Sequence, residues 1–298
     1  MSERYQELFR PDVVQSVAGL SLLARLLADD FMAGKHLSQR VAHGLEFSQY
    51  KAYQPGDDMR LLDWKMLARS GRYYIKQADI NSRVTVKFII DASASMNHKE
   101  AGLAKIHWVR ILVATLAYIA HQQGDSTGLF SLNNAQLKAI YPAAHSKHYQ
   151  RMLNELIAIA PAGNWPDTTV DINAISNRSG RELLCILTDM HQQQTELIDW
   201  VKRLKSSRNE VMVLQVMGKN EMDFQYQGNV IFEDLETGEK IKANATSAKA
   251  HYLGKMQQNL THTRHLLLDN GIGYELFRMD TPLDDALKLF LGKRQHLS

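Results

Sequence analysis

The chain has 298 residues, of which 45% are hydrophobic, so it can bury a large core as one large domain or two small ones. Its 35 basic and 32 acidic residues leave a net charge of +3, too even a balance for a dedicated nucleic-acid protein. A single cysteine, Cys185, rules out a disulfide framework within the chain and points to a reducing compartment.

The first twelve residues, MSERYQELFRPD, are too polar for a signal peptide. From Pro11, apolar residues at Val13, Val17, Leu20 and 23–27 follow helical spacing. Residues 35–80 alternate around a Pro-Gly turn and predict a small lobe of short strands. From Arg83 the pattern changes. RVTVKFIID predicts a buried strand, and residues 99–124 a long helix ending near Gly124. Two more strands follow, DSTGLFSL and QLKAIYP, then a helix stopped by Pro161 and a short helix in VDINAISNRS. ELLCILTD is a strand with Cys185 in its apolar run, as expected of a buried thiol. QQTELIDWVKRLKSS is a helix and EVMVLQVM a strand. IFEDLETGEKI reads as a hairpin inserted at about 218–246, followed by a long helix, a last strand in IGYELFRMD and a last helix.

Strands alternating with amphipathic helices predict an α/β domain over 83–298, doubly wound, with a mostly parallel sheet covered on both faces. Residues 1–82 are taken as an N-terminal helix plus the strand-rich lobe. The longest clearly apolar helical segment, 111–120, is half of what a membrane span needs, so a cytoplasmic protein is expected.

In such sheets ligands bind beyond the carboxyl ends of the strands. Two strands end there in aspartate, Asp91 in FIIDASAS and Asp189 in CILTDM, and a loop with paired threonines, NWPDTTVDINAIS, lies between them. All these groups offer oxygen, which suits Mg²⁺ and not zinc. The bland alternative is that Asp91, Ser93 and Ser95 merely cap the next helix. His98 and His191 follow these segments closely enough to line a rim.

DASASM at 91–96, TTVDINAI at 168–175 and LTDM at 187–190 resemble the three parts of the metal-ion-dependent adhesion site (MIDAS) of von Willebrand factor A domains. Residues 45–76, FEDLETGEK and the C-terminal stretch resemble the bacterial A-domain family called domain of unknown function fifty-eight, over nearly the whole chain from about residue 36. The resemblance implies Asp91, Ser93, Ser95, Thr169 and Asp189 as the metal set, with Asp189 acting through water, Thr168 as the alternative threonine, and Mg²⁺ or Mn²⁺ as the ion. It also implies a MoxR-type AAA+ ATPase as partner and adaptor or chaperone-like work on a client protein. Lys51 and the NWPD approach to the threonines depart from the family pattern.

The charged turn YQPGDDMRLLDW carries Asp57, Asp58, Arg60, Asp63 and Trp64. These are taken as lobe-docking residues, against a merely solvated charged turn as the bland reading and a partner-contact surface as a third option. No G-x-S-x-G elbow, H-E-x-x-H helix or P-loop is present, which favours a binding module over an enzyme. Metal-assisted hydrolysis is the runner-up, because bound Mg²⁺ activates water.

Overall fold

The computed structural model describes residues 9–42, 50–54, 59, 62, 64–76, 84–166, 172–176, 181–191 and 196–287. The chain divides into two units, Met1–Phe31 with Arg83–Ser298, and Met32–Ser82.

The larger unit is built on six strands: β3 (Thr85–Asp91), β6 (Ser126–Leu132), β7 (Leu137–Ala143), β8 (Glu182–Thr188), β9 (Asn209–Met217) and β12 (Gly273–Arg278). Their spatial order is β12-β9-β8-β3-β6-β7, with every pairing parallel except β6–β7. Numbered within the sheet, this is the doubly wound order 3-2-1-4-5-6 with its third strand reversed. The connections change direction between the first and fourth strands, β3 and β8, and a crevice opens at that switch point. β3 and β8 are apolar runs because both sheet faces are covered.

Alternation along β3 sends Phe88 and Ile90 to one face and Ile89 to the other. On the first face lie α4 (Lys105–Gln122) and α5 (Ser146–Ala158). α4 is buried almost all round, which explains why its sequence is apolar all round. Its outer side is met by α1 (Pro11–Val14) and by the first half of α2 (Val17–Ala42), through Val14, Leu20, Leu23 and Leu27. The start of the N-terminal helix therefore belongs to the core of the larger unit. On the second face, α7 (Glu196–Leu204) buries Leu197, Trp200, Val201 and Leu204. Cys185 is buried in the centre of β8.

Several boundaries differ from the sequence reading. The helix expected from residue 99 begins only at Lys105. Before it comes a tight hairpin of β4 (Lys99–Glu100) and β5 (Leu103–Ala104), turned by Ala101 and Gly102 at φ 47° and 84°. α2 continues to Ala42, into residues expected as strand and turn.

The smaller unit pairs β1 (Tyr50–Ala52) antiparallel with β2 (Tyr74–Lys76) and carries a helix, α3 (Trp64–Ser70), that periodicity did not predict. Trp64 opens α3 with its side chain 63% exposed. Asp57, Asp58, Arg60 and Asp63 lie outside the described residues.

After β9 the chain forms α8 (Lys219–Asp223), then a hairpin of β10 (Asn229–Glu233) and β11 (Lys240–Asn244), and then α9 (Ala245–Asp269). Phe224, Tyr226, Phe232 and Tyr252 pack their rings 4.7–5.7 Å apart, tying this insertion to α9. No helix among the described residues is long and apolar enough to cross a membrane.

Candidate metal centre

At the end of β3 the chain leaves the sheet in a 3₁₀ turn, Ala94–Asn97. Asp91 folds back so that its Oδ1 accepts the N–H of Ser93 at 2.9 Å, a side-chain-to-backbone turn natural to aspartate. Ser93 stands at the N-cap of the 3₁₀ turn, yet its hydroxyl makes no capping bond. Instead it lies 3.0 Å from Ser95 Oγ, and Ser95 Oγ donates to Asp189 Oδ1 at 3.1 Å. The serines are therefore turned toward each other and toward the end of β8, which the capping reading does not explain.

The loop 160–166 braces this arrangement. Ala94 N–H donates to Gly163 O, and Ala162 N–H donates to Ala92 O. Gly163 has φ +65°, and a Cβ there would meet Asn134 Oδ1 at 2.1 Å, so only glycine fits. Trp165 fills the space below with an edge-on contact to Trp200.

On the β8 side, Thr188 Oγ1 donates to Asp91 Oδ2 at 2.7 Å, and Met190 takes the left-handed conformation at φ 56° to turn the chain away. Asp189 Oδ1 also accepts His191 N–H, and its backbone oxygen accepts Gln215 Nε2. Lys105, the first residue of α4, donates to Asp189 Oδ2 at 2.9 Å and to Glu221 Oε1 at 2.7 Å, with its ammonium 2% exposed. Glu221 and Glu100 each accept backbone N–H groups at the start of α8, which holds that helix against the site.

Asp91, Ser93, Ser95 and Asp189 are thus brought together, all within 4% exposure. Thr168 and Thr169 lie outside the described residues. Sequence reasoning missed Lys105, Thr188 and Glu221. A lysine opening the largely apolar run KIHWVRILVATLAYIA was the one available signal.

The electrostatics are those of buried carboxylates gathered around one ammonium. Burial, and then the charge of Asp189, pushes the Asp91 carboxyl up to about 6. Burial acts upward on Asp189 as well, but Lys105 outweighs it and holds that carboxyl below its ordinary value. Burial would lower the pKa of Lys105, but Asp189 and Glu221 raise it. In the hairpin turn, the carboxyl of Glu236 faces His191, Asp189 and the Ser95 and Ser93 hydroxyls. Its Oε1 is buried with no hydrogen-bond partner among the described residues.

The donor chemistry fits Mg²⁺ or Mn²⁺. Neighbouring ligands of an octahedral Mg²⁺ ion lie about 3 Å apart, and the Ser93 and Ser95 hydroxyl oxygens are separated by 3.0 Å. Among the described residues no group of three or more His, Cys, Asp or Glu side chains forms a cage. A site of this kind would depend on hydroxyls. Ser95, Lys105, Asp189, His98 and His191 also open onto a cavity of about 450 Å³ roofed by the hairpin.

A sheet of this order, with its reversed third strand and an Asp-x-Ser-x-Ser loop at the switch point, is a von Willebrand factor A-like domain. The chain belongs to the family described as Protein of unknown function DUF58, whose profile matches residues 49–261. It is similar, at 25% identity over 233 residues, to uncharacterized proteins of Mycobacterium bovis and Mycobacterium tuberculosis, with 76% of this chain and 72% of each relative covered. Among solved structures it is similar to an aerotolerance-related membrane protein from Bacteroides fragilis, at 17% identity and TM-score 0.45 over 70% of this chain and 97% of that one. It is also similar to BatB from Bacteroides thetaiotaomicron, at 15% identity and TM-score 0.44 over 70% and 98% of the two chains.

Proposed function

We propose that this chain is a metal-dependent protein-binding module that docks an acidic side chain of a partner at the β3–β8 switch point. The observation that carries the reading is the mutual orientation of Ser93, Ser95 and Asp189, whose oxygens lie 3.0 and 3.1 Å apart around Asp91. Asp91, Ser93, Ser95 and Thr169 would hold Mg²⁺ or Mn²⁺, with Asp189 behind them. A bound Mg²⁺ supplies a positive centre with room for one more oxygen donor, which a partner's carboxylate can fill.

The protein's own groups suit binding rather than turnover. Both Asp91 oxygens accept hydrogen bonds, one from Ser93 N–H and one from Thr188. Both Asp189 oxygens are likewise engaged, by Ser95, His191 N–H and Lys105. A general base needs a carboxylate oxygen within reach of the proton it takes. Here these bonds hold the loops in place, and the lone pairs left on Asp91 would serve the metal.

The sequence resemblance supplies the partner class, a MoxR-type AAA+ ATPase, with adaptor or chaperone-like work on a client in the cytoplasm. The test is a titration of such an ATPase against this protein with Mg²⁺ and with EDTA, without nucleotide so that the ATPase's own metal site does not contribute. Binding should be lost in EDTA and in Asp91→Ala. Equal affinity under all conditions would place docking on another surface.

A further inference from the structure

We propose that Glu236, in the turn of the β10–β11 hairpin, is an acidic ligand of the same site supplied by the chain itself. Its carboxylate stands where the proposed function puts a partner's acidic side chain, so a partner must displace it to dock. This inference rests on the metal reading and adds a residue and a competition to it.

The turn is built to hold this residue in place. Asp234 Oδ1 accepts the N–H of Glu236 at 2.8 Å and that of Thr237 at 3.2 Å, and Gly238, at φ +73°, closes the turn onto Asp234 O at 2.8 Å. A glutamate at a hairpin tip ordinarily keeps both oxygens in water. Here the carboxyl is turned inward to His191, Ser95 and Ser93, and Oε1 is buried with no hydrogen-bond partner among the described residues. Such an oxygen carries an uncompensated desolvation cost unless a cation meets it.

The charges give the same answer. Four carboxylates, Asp91, Asp189, Glu221 and Glu236, stand against the one ammonium of Lys105 near the serine hydroxyls. The negative charge in excess of Lys105 suffices for one divalent ion. The hairpin rides on rings, Phe232 lying 5.7 Å from Phe224 and 5.2 Å from Tyr226, and joins the body beside Gly228 at φ +67°. An element held by apolar contacts and a glycine joint can lift without breaking the sheet.

The experiment is a Mn²⁺ titration of the full chain by calorimetry, for wild type, Glu236→Gln, Glu236→Ala and the hairpin control Glu233→Gln. Melting temperatures in EDTA verify that each variant is folded. Glu236→Gln and Glu236→Ala should bind Mn²⁺ about tenfold or more weakly, the scale on which loss of a supporting group acts at a metal site. Glu233→Gln should match wild type. Millimolar acetate should restore affinity in Glu236→Ala and leave wild type unchanged, because only the alanine variant has an open position. Wild-type affinity in both Glu236 variants, or equal tightening by acetate in wild type and Glu236→Ala, overturns the proposal while leaving the metal reading standing. Absence of Mn²⁺ binding by wild type itself overturns both.

Discussion

Lys105 Nζ sits 2.9 Å from Asp189 Oδ2 and 2.7 Å from Glu221 Oε1, so one buried ammonium joins the start of α4, the end of β8 and the short helix α8. The pair with Asp189 is almost wholly removed from water, which separates it from surface ion pairs of little net value.

Lys105→Met should therefore destabilise the fold by about 3–5 kcal/mol, because it leaves Asp189 buried without its cation. Urea unfolding with and without Mg²⁺ measures the loss. Part of it should return when Asp189→Asn is added, since the orphaned charge is then gone. A Lys105→Met chain as stable as wild type would mean that water already compensates Asp189.

Metal binding to the folded state should raise the melting temperature in proportion to the logarithm of ion concentration. At a hundred times Kd the gain is about 2.7 kcal/mol. Asp91→Ala should abolish the Mg²⁺-dependent shift. A scan with Mg²⁺, Mn²⁺ and EDTA checks this, and a wild type indifferent to all three removes the basis for the metal site.

The two aspartates of the site were legible because each ends an apolar strand, and Asp91 and Asp189 indeed meet at the switch point of the sheet. Lys105 was not legible, because its burial is decided by Asp189 and Glu221, 84 and 116 residues away. The hairpin could be read from FEDLETGEK, but the place where its turn lands depends on the ring cluster around Phe224. The false early start of α4 has a local cause. Residues 99–104 contain no proline, and the break comes from a two-residue turn at Ala101 and Gly102 that helical periodicity does not register.

His107 gives the fold a pH dependence of definite sign. Burial first, then the charges of Arg110 and Lys99, holds its imidazole down to about 4, while Gln15 Nε2 lies 3.2 Å from its Nε2. An unfolded chain takes up this proton near pH 6.5. The stability tied to neutral His107 is thus fully present above about pH 6.5. It falls as the pH drops toward 4, because the unfolded state binds more protons in that window. His107→Gln should flatten the difference in urea midpoint between pH 7 and pH 4.5 relative to wild type. Parallel profiles for the two proteins would assign the acid sensitivity to other groups.

A second buried ion pair holds the short helix that follows the paired threonines in sequence. Lys87 on β3 donates to Glu182 on β8 and, at 2.7 Å, to the carbonyl of Ile175, the last residue of α6 (Ile172–Ile175). Glu182 in turn accepts Ser176 Oγ at 3.1 Å, and both charged side chains are 3% exposed. Lys87→Met removes the cation and one carbonyl partner, and should cost about 3–5 kcal/mol as a broken buried pair. The double variant Lys87→Met with Glu182→Met keeps an apolar filling, and should recover most of that loss, since such replacements are often neutral. It cannot restore the bonds to Ile175 O and Ser176, so the end of α6 stays untethered. The double variant should therefore unfold near the wild-type urea midpoint yet bind Mn²⁺ more weakly, whereas a purely structural pair would leave metal affinity unchanged once stability is regained.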